Sequence, residues 1–215
     1  CAMAEYLDLR LFMTYVAIEN FLADWDGILG YWGMNNFYLY RFEGRNLSQI
    51  VPWDKDNAFQ EIDFPIFLRV DENVLMKKAM AVPELRAAYL EALLDCAASA
   101  TEPPLDGEPE GGQLQGGWME REIEREYQQI RAAVEEDTLK PFSNQQFEAA
   151  IAYLRRFARE RISFVRSNAE AAQVDPPPAI DLGDITAGGD GTGTASPGIV
   201  GINPDTGLFE SSHGN

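Results

Sequence analysis

The sequence predicts a mainly helical α+β fold. Three observations carry that prediction. Apolar residues recur at steps of three and four through several long segments, one pair of aromatic, β-prone segments flanks a turn, and the C-terminal stretch, rich in Pro, Gly, Thr and Ser, keeps no period. With 215 residues and 46% hydrophobic content, the chain suits one globular domain of roughly 150 residues plus extra segments. Its formal charge is −18, from 35 acidic and 17 basic residues. Such a surface repels phosphate backbones and anionic lipid, which argues against general binding to nucleic acid or to an acidic membrane surface. A cationic partner or a divalent metal fits better, and part of the acidity serves solubility alone.

From Glu5 to Ile28, Leu7, Leu11, Tyr15, Ile18, Leu22 and Trp25 mark an apolar stripe that Phe12, Val16 and Phe21 widen, so a long helix buried on most sides is expected. Asp8, Arg10, Glu19, Asn20 and Asp24 interrupt its most hydrophobic part, which makes it a core helix and not a membrane span. The segment "DWDGILGYWGMNN" follows, where Gly27, Gly30 and Gly33 end the helical period in a loop. "FYLYRF" and "LSQIV", separated by "EGRN", read as a β-hairpin over 37–42 and 47–51, closed by Pro52 because proline stops ladder pairing. Helical periodicity returns at "ENVLMKKAM" and "VPELRAAYLEALLDCAASA", with Pro83 suited to a first turn. A polar Pro/Gly loop over 101–116 precedes a helix over about 117–138. A last helix starts at Ser143, where "SNQQ" has capping-box spacing and Phe147, Ile151, Leu154, Phe157, Ile162 and Val165 mark its buried stripe.

The domain is expected to span 1–170, and 171–215 to be a flexible, disordered linker or tail, with "SPGIVGINPDTGLF" as an alternative start of a further β segment. Cys1 leads straight into a helical pattern without the features of a signal peptide, so the chain reads as truncated or processed. Cys1 and Cys96 allow one disulfide, and buried thiols are the expectation for both. The first helix is more hydrophobic than one covered face requires, which predicts exposed apolar surface on this chain by itself.

Two carboxylate clusters, "ADWDG" at 23–27 and "WDKD" at 53–56, flank the amides Asn35 and Asn36. Magnesium is held by one or two protein carboxylates together with phosphates and waters, an asparagine oxygen adds a ligand without charge, and a separate carboxylate can orient a hydroxyl nucleophile. The layout therefore permits phosphoryl transfer. A calcium-binding loop starting at Asp54 is excluded, because Phe59 stands where glycine is required and Pro65 where a bidentate glutamate belongs. Composition alone favours plainer roles: a solvated turn for Asp54 and Asp56, a helix-end cap for Asp26, turn residues for Asn35 and Asn36, and packing for Trp25, Trp32 and Trp53. Lys55 reads as a charge that limits the repulsion between its two aspartate neighbours.

The string "ENFLADWDGILGYWGMNNFYLYRFEGRNLSQIVPWDKDNAF" resembles the CotH (spore coat protein H) kinase family. In that family a helix ends in an Asp-containing loop, an Asn leads into a strand of the type Asn-Tyr-Tyr-Leu-Tyr, and a second strand closes with Pro-Trp-Asp-x-Asp. The matching pieces are Asp26, Asn36 with Phe37 to Tyr40, and Pro52 to Asp56. "PELRAAYLEALL" is similar to the family's helix after the active site, and "FARERISFVRSN" to its closing helix. The resemblance covers roughly residues 5–170. It implies an atypical protein-kinase-like C-terminal lobe in which the hairpin carries the metal-binding loop.

By the same resemblance, Asp26 would be the catalytic aspartate, with Asp24 its competitor, and Asp54 the metal ligand. Asp56 and Asn36 would complete the metal shell, and Trp53 would support the nucleotide pocket. Mg2+ or Mn2+ and ATP are the implied cofactors, and Ser or Thr of a secreted or cell-surface, spore-coat-like protein is the implied acceptor. Two departures are expected to matter. The family closes its second motif near Phe-Gly where this chain has Phe59-Gln60, and the family's nucleotide-phosphate-binding region lies upstream of the long helix, so this chain alone is expected to be inactive. The alternatives are a catalytically inactive CotH-like structural protein and an acidic helical interaction module built on "EREIEREYQQIRAAVEED".

Overall fold

The computed structural model describes residues 2–104, 116–174, 200–202 and 209–211. A 3-10 turn (Ala2–Glu5) leads into α1 (Leu9–Phe21), β1 (Phe37–Arg41), β2 (Ser48–Pro52), α2 (Val74–Met80), α3 (Pro83–Ala100), α4 (Trp118–Glu136), α5 (Asn144–Val174), β3 (Val200–Ile202) and β4 (Phe209–Ser211). A mainly helical α+β architecture is thus observed. α1 packs on α3, α3 on α5 and α5 on α4, and β2 rests on α1. Phe12, Met13, Val16, Tyr89, Leu93 and Val165 lie within the central core.

Asp8 opens α1 by accepting the Leu11 N–H at 3.0 Å. The helix stops at Phe21, short of the predicted Ile28, because the chain turns through a Schellman motif. The Ala23 N–H donates to Asn20 O at 2.9 Å and the Asp24 N–H to Glu19 O at 3.1 Å, with Ala23 at φ 52° where glycine is usual. That left-handed conformation costs an alanine about 1–2 kcal/mol. Ala23 is wholly buried in a cluster with Phe64 and Phe157, packing that offsets the cost.

The predicted apolar stripe of α1 is also rotated. Phe12, Met13, Val16, Ala17 and Phe21 face inward, while Leu11 and Ile18 are exposed. With α3 covering only one side, some of the helix's apolar surface stays in solvent, as its composition suggested.

The hairpin pairs antiparallel from Phe37 opposite Pro52 to Arg41 opposite Ser48. Its far end is fastened to the start of the chain by the Ser48 N–H donating to Tyr6 O at 2.7 Å. Pro83 begins α3 at its first turn, as its missing N–H allows. Of α4, only Met119 and Tyr127 are buried. Glu124 meets Arg155 at 2.6 Å and Glu120 meets Arg159 at 3.0 Å, so part of the acidic face is already paired with α5. Exposed pairs of this kind contribute about 0–1 kcal/mol, so the Tyr127, Phe147 and Ile151 contacts are the main attachment.

Residues 105–115 of the predicted polar loop lie outside the described residues, as do Cys1 and most of the predicted tail. α5 continues to Val174, past the boundary expected near 170, and β3 pairs antiparallel with β4. Cys96 has no disulfide partner among the described residues; it is a half-buried thiol whose pKa burial and the nearby Asp95 push up to about 11. Among the described residues no helix is long and apolar enough to cross a membrane.

Candidate active site

The loop after α1 and the loop after β2 run side by side. Backbone bonds stitch them: the Trp25 N–H donates to Asn57 O at 3.1 Å, Phe59 to Leu22 O at 2.6 Å and Gln60 to Ala23 O at 3.5 Å. Of the five non-glycine residues at positive φ among the described residues, Ala23, Asn36, Asp54 and Phe59 lie on these loops or on the link between them, at φ 52°, 54°, 48° and 64°. Strained backbone persists only where surrounding contacts over-determine it, and it gathers at functional sites. The Phe59-Gln60 departure is also accounted for. The left-handed conformation falls on Phe59 itself, and Gln60 is not among the residues at positive φ, so a glycine is not required there.

Asp26 is half-buried, and two amides hold it: Asn35 Nδ2 donates to Oδ1 at 3.0 Å and Asn36 Nδ2 to Oδ2 at 2.7 Å. The Trp53 N–H donates to Asn36 O at 3.2 Å. Asn36 therefore ties Asp26 to the residue immediately before Asp54. Asp54 and Asp56 are both exposed, and Asp56 accepts from Asn57 Nδ2 at 2.8 Å. Trp53 is 55% exposed and meets the Tyr38 ring edge-on at 5.2 Å. It is a shelf beside Asp54 and not the wall of a closed pocket. A groove of about 470 Å³, lined by Met3, Tyr6, Phe37, Leu39, Ile50 and Leu75 among others, lies under the face of the hairpin opposite Tyr38.

The expected role of Lys55 is corrected. Its Nζ bonds not to its aspartate neighbours but to Glu19 Oε1 and, at 3.1 Å, to Asp24 Oδ2, and it sits over the Tyr15 ring at 5.6 Å. Asp54 stands at φ 48° and Asp56 begins a turn, and this bent backbone leaves both aspartates exposed while the half-buried Lys55 reaches back toward α1 and the loop after it. Asp24 is 2% exposed and Glu19 5%. Asp24 Oδ1 accepts the Asp26 N–H at 3.0 Å, and Glu19 Oε2 accepts the Ile28 N–H at 2.8 Å. Gly27 lies between these two bonds, and a Cβ there would meet Glu19 Oε2 at 2.8 Å.

Neither Glu19 nor Arg161 stands out in the sequence as a site residue. The available signal was a polar residue on an apolar stripe: Glu19 and Asn20 within α1, and Arg161 one helical step from Phe157 and Val165. Arg161 is fully buried and donates to Phe21 O at 3.1 Å, Asn20 O at 2.7 Å, Ile62 O at 3.0 Å and Phe64 O at 2.6 Å.

Burial raises the Glu19 pKa above 4.5, against the opposing pull of Lys55, the Ile28 N–H and Tyr15. Burial also opposes the charge on Lys55, but Glu19 and Asp24 outweigh it and lift its pKa. The folded state therefore holds the Glu19 proton more tightly than the unfolded chain does. That contribution to stability is fully present below the ordinary carboxylate value and is lost as pH rises through the raised one. Denaturant melts from about pH 4 to about pH 8 should show Glu19→Gln gaining stability relative to the native chain as pH rises. A difference independent of pH would contradict the assignment.

Among the described residues no three His, Cys, Asp or Glu side chains gather as a metal-binding group. The donor set still suits a hard cation completed by phosphates and water. Asp54 offers an exposed carboxylate, and Asn36, with its Nδ2 committed to Asp26, presents Oδ1 as its remaining side-chain acceptor. None of the curated proteins compared matches the chain. The family model described as CotH kinase protein matches residues 2–165, well over half of the sequence, and membership carries the expectation of a kinase-type activity using ATP and a divalent metal. The chain belongs to the CotH kinase family.

Proposed function

We propose that this chain carries the carboxylates of the active site of an atypical protein kinase. The kinase moves the γ-phosphoryl group of ATP to Ser or Thr of a secreted or cell-surface, spore-coat-like protein. The observation that carries this reading is the linkage of Asp26, Asn36 and Trp53, which brings a held carboxylate next to the loop bearing Asp54. Asp26 takes the catalytic role over Asp24 because Asp24 is buried and both its oxygens are engaged.

Asp26 orients the acceptor hydroxyl and receives its proton as the new oxygen–phosphorus bond forms and the bond from the γ-phosphorus to the β–γ bridging oxygen breaks, releasing ADP. Each of its oxygens has one amide donor and keeps a further lone-pair site. Asp54 and the Asn36 oxygen would hold Mg2+ or Mn2+, with Asp56 as a further candidate ligand. When bound, the metal ion neutralises charge on the phosphates. Trp53 and Tyr38 offer aromatic surface beside the nucleotide. Localisation and acceptor class follow from the family resemblance.

The test is transfer of labelled γ-phosphate to a surface-protein substrate, run on the whole protein and on Asp54→Ala. Labelling should require Mg2+ or Mn2+ and vanish in the variant, and equal labelling of both forms would refute the assignment. In parallel, Mg2+ with a non-hydrolysable ATP analogue at a hundredfold excess over Kd should stabilise the native protein by about 2–3 kcal/mol, and Asp54→Ala should lose that gain. The alternative reading is an inactive structural relative of the family. Metal-independent melting and no transfer by the whole protein would favour it.

A further inference from the structure

The structure assigns to Lys55 a role in positioning the catalytic loop, an inference that rests on the proposed kinase reading. Lys55 lies on the loop that carries Asp54, yet its Nζ closes a buried network belonging to the loop that carries Asp26. Asp24 and Glu19 each use one oxygen on Lys55 and the other on a backbone N–H, that of Asp26 for Asp24 and that of Ile28 for Glu19. The two carboxylates thus grip the backbone on either side of Gly27, where a Cβ would meet Glu19 Oε2 at 2.8 Å and Asp24 Oδ2 at 3.1 Å, so glycine leaves room for both.

Two nearly buried carboxylates this close destabilise each other's charged form unless a cation lies between them. Lys55 is the cation bonded to both, and Tyr15 flanks it with a ring face. Removing that charge drives one carboxylate to take up a proton or to turn outward, and the Asp26 and Ile28 amides lose their holders. Lys55 touches neither the acceptor hydroxyl nor the phosphates; it acts through Asp24 and Glu19 on where Asp26 stands. One side chain therefore couples the metal-bearing loop to the acid-bearing loop, in addition to the backbone bonds between them.

The test uses Lys55→Met, Lys55→Gln and Lys55→Arg in the whole protein, with two readouts. Hydrogen exchange at the amides of Asp26 and Ile28 should speed up about tenfold or more in K55M while α3 and α5 stay protected, and K55R should restore protection. Because misplacing a catalytic group by about 1 Å costs up to about 100-fold, kcat for phosphate transfer should fall by about 10- to 100-fold in K55M with KM for ATP unchanged, and K55R should recover most of it. K55Q keeps a neutral donor and carries the test if K55M does not fold. Unchanged exchange at both amides overturns the clamp, and faster exchange with native kcat overturns its link to catalysis. Should the unmodified protein transfer no phosphate, the kinase reading fails separately and amide exchange alone decides the clamp.

Discussion

Asp26→Asn should lower kcat for phosphate transfer by about 10²- to 10⁴-fold, the range associated with a positioned general base, while KM for ATP stays unchanged. The substitution conserves shape. It also removes the charge and the proton-accepting capacity, and it turns one oxygen that now accepts from Asn35 or Asn36 into a competing donor. Because Asp54 and the Asn36 oxygen supply the proposed metal shell, nucleotide affinity should survive. Steady-state transfer assays over a range of ATP concentrations separate the two parameters. A rise in KM for ATP with intact kcat would move Asp26 from the base role to the metal shell, and native values of both would remove it from the mechanism altogether.

Arg161→Met is expected to cost about 3–5 kcal/mol of folding stability, which for a chain of this size lowers Tm by roughly 10 °C. Arg161 has no carboxylate partner among its hydrogen bonds. It is a buried cation satisfied by backbone carbonyls of the α1 end and of residues 62–64. Burial lowers its pKa to about 10, which still leaves it charged at neutral pH. Methionine fills the space of the stem and takes the guanidinium donors from the Phe21, Ile62 and Phe64 carbonyls, at about 1–3 kcal/mol for each one not reached by water, while Asn20 O keeps the Ala23 N–H. The lost cost of burying the charge returns part of the sum. Arg161→Lys should recover less than half the loss, because one ammonium group cannot span carbonyls arranged for a planar fork. Melting curves for the three forms decide the matter, and a loss below about 1 kcal/mol for methionine would show that the carbonyls find other donors.

The helices and the hairpin were legible because their signals are local. Steps of three and four residues, Pro83 at a first turn and the turn letters of "EGRN" each act within a few residues, and α2 to α5 and the hairpin fall within a few residues of where those signals put them. The end of α1 was not legible. Its apolar period runs on through Trp25, and only the burial of Ala23 against Phe64 and Phe157, residues distant in the chain, makes a left-handed alanine affordable there. The exposure of Leu11 and Ile18 has the same origin, since which face of α1 turns inward depends on where α3 lies.

For the site, the letters named Asp26, Asn36, Trp53, Asp54 and Asp56, and the resemblance to a kinase family is supported by the family match over residues 2–165. The letters also suggested that Lys55 neutralises its neighbours, because proximity in sequence is all that a string displays. The backbone bends at Asp54, at φ 48°, and turns at Asp56, so the lysine between them is carried away from both, and its partners came from α1 and from the loop after it, 36 and 31 residues earlier. Sequence by itself determined the family, the order of elements and the set of acidic and amide groups available for chemistry, because those depend on local pattern and residue type. Tertiary structure alone decided which carboxylates are buried with a cation and which face solvent, because burial and pairing are set by contacts between segments far apart in the chain.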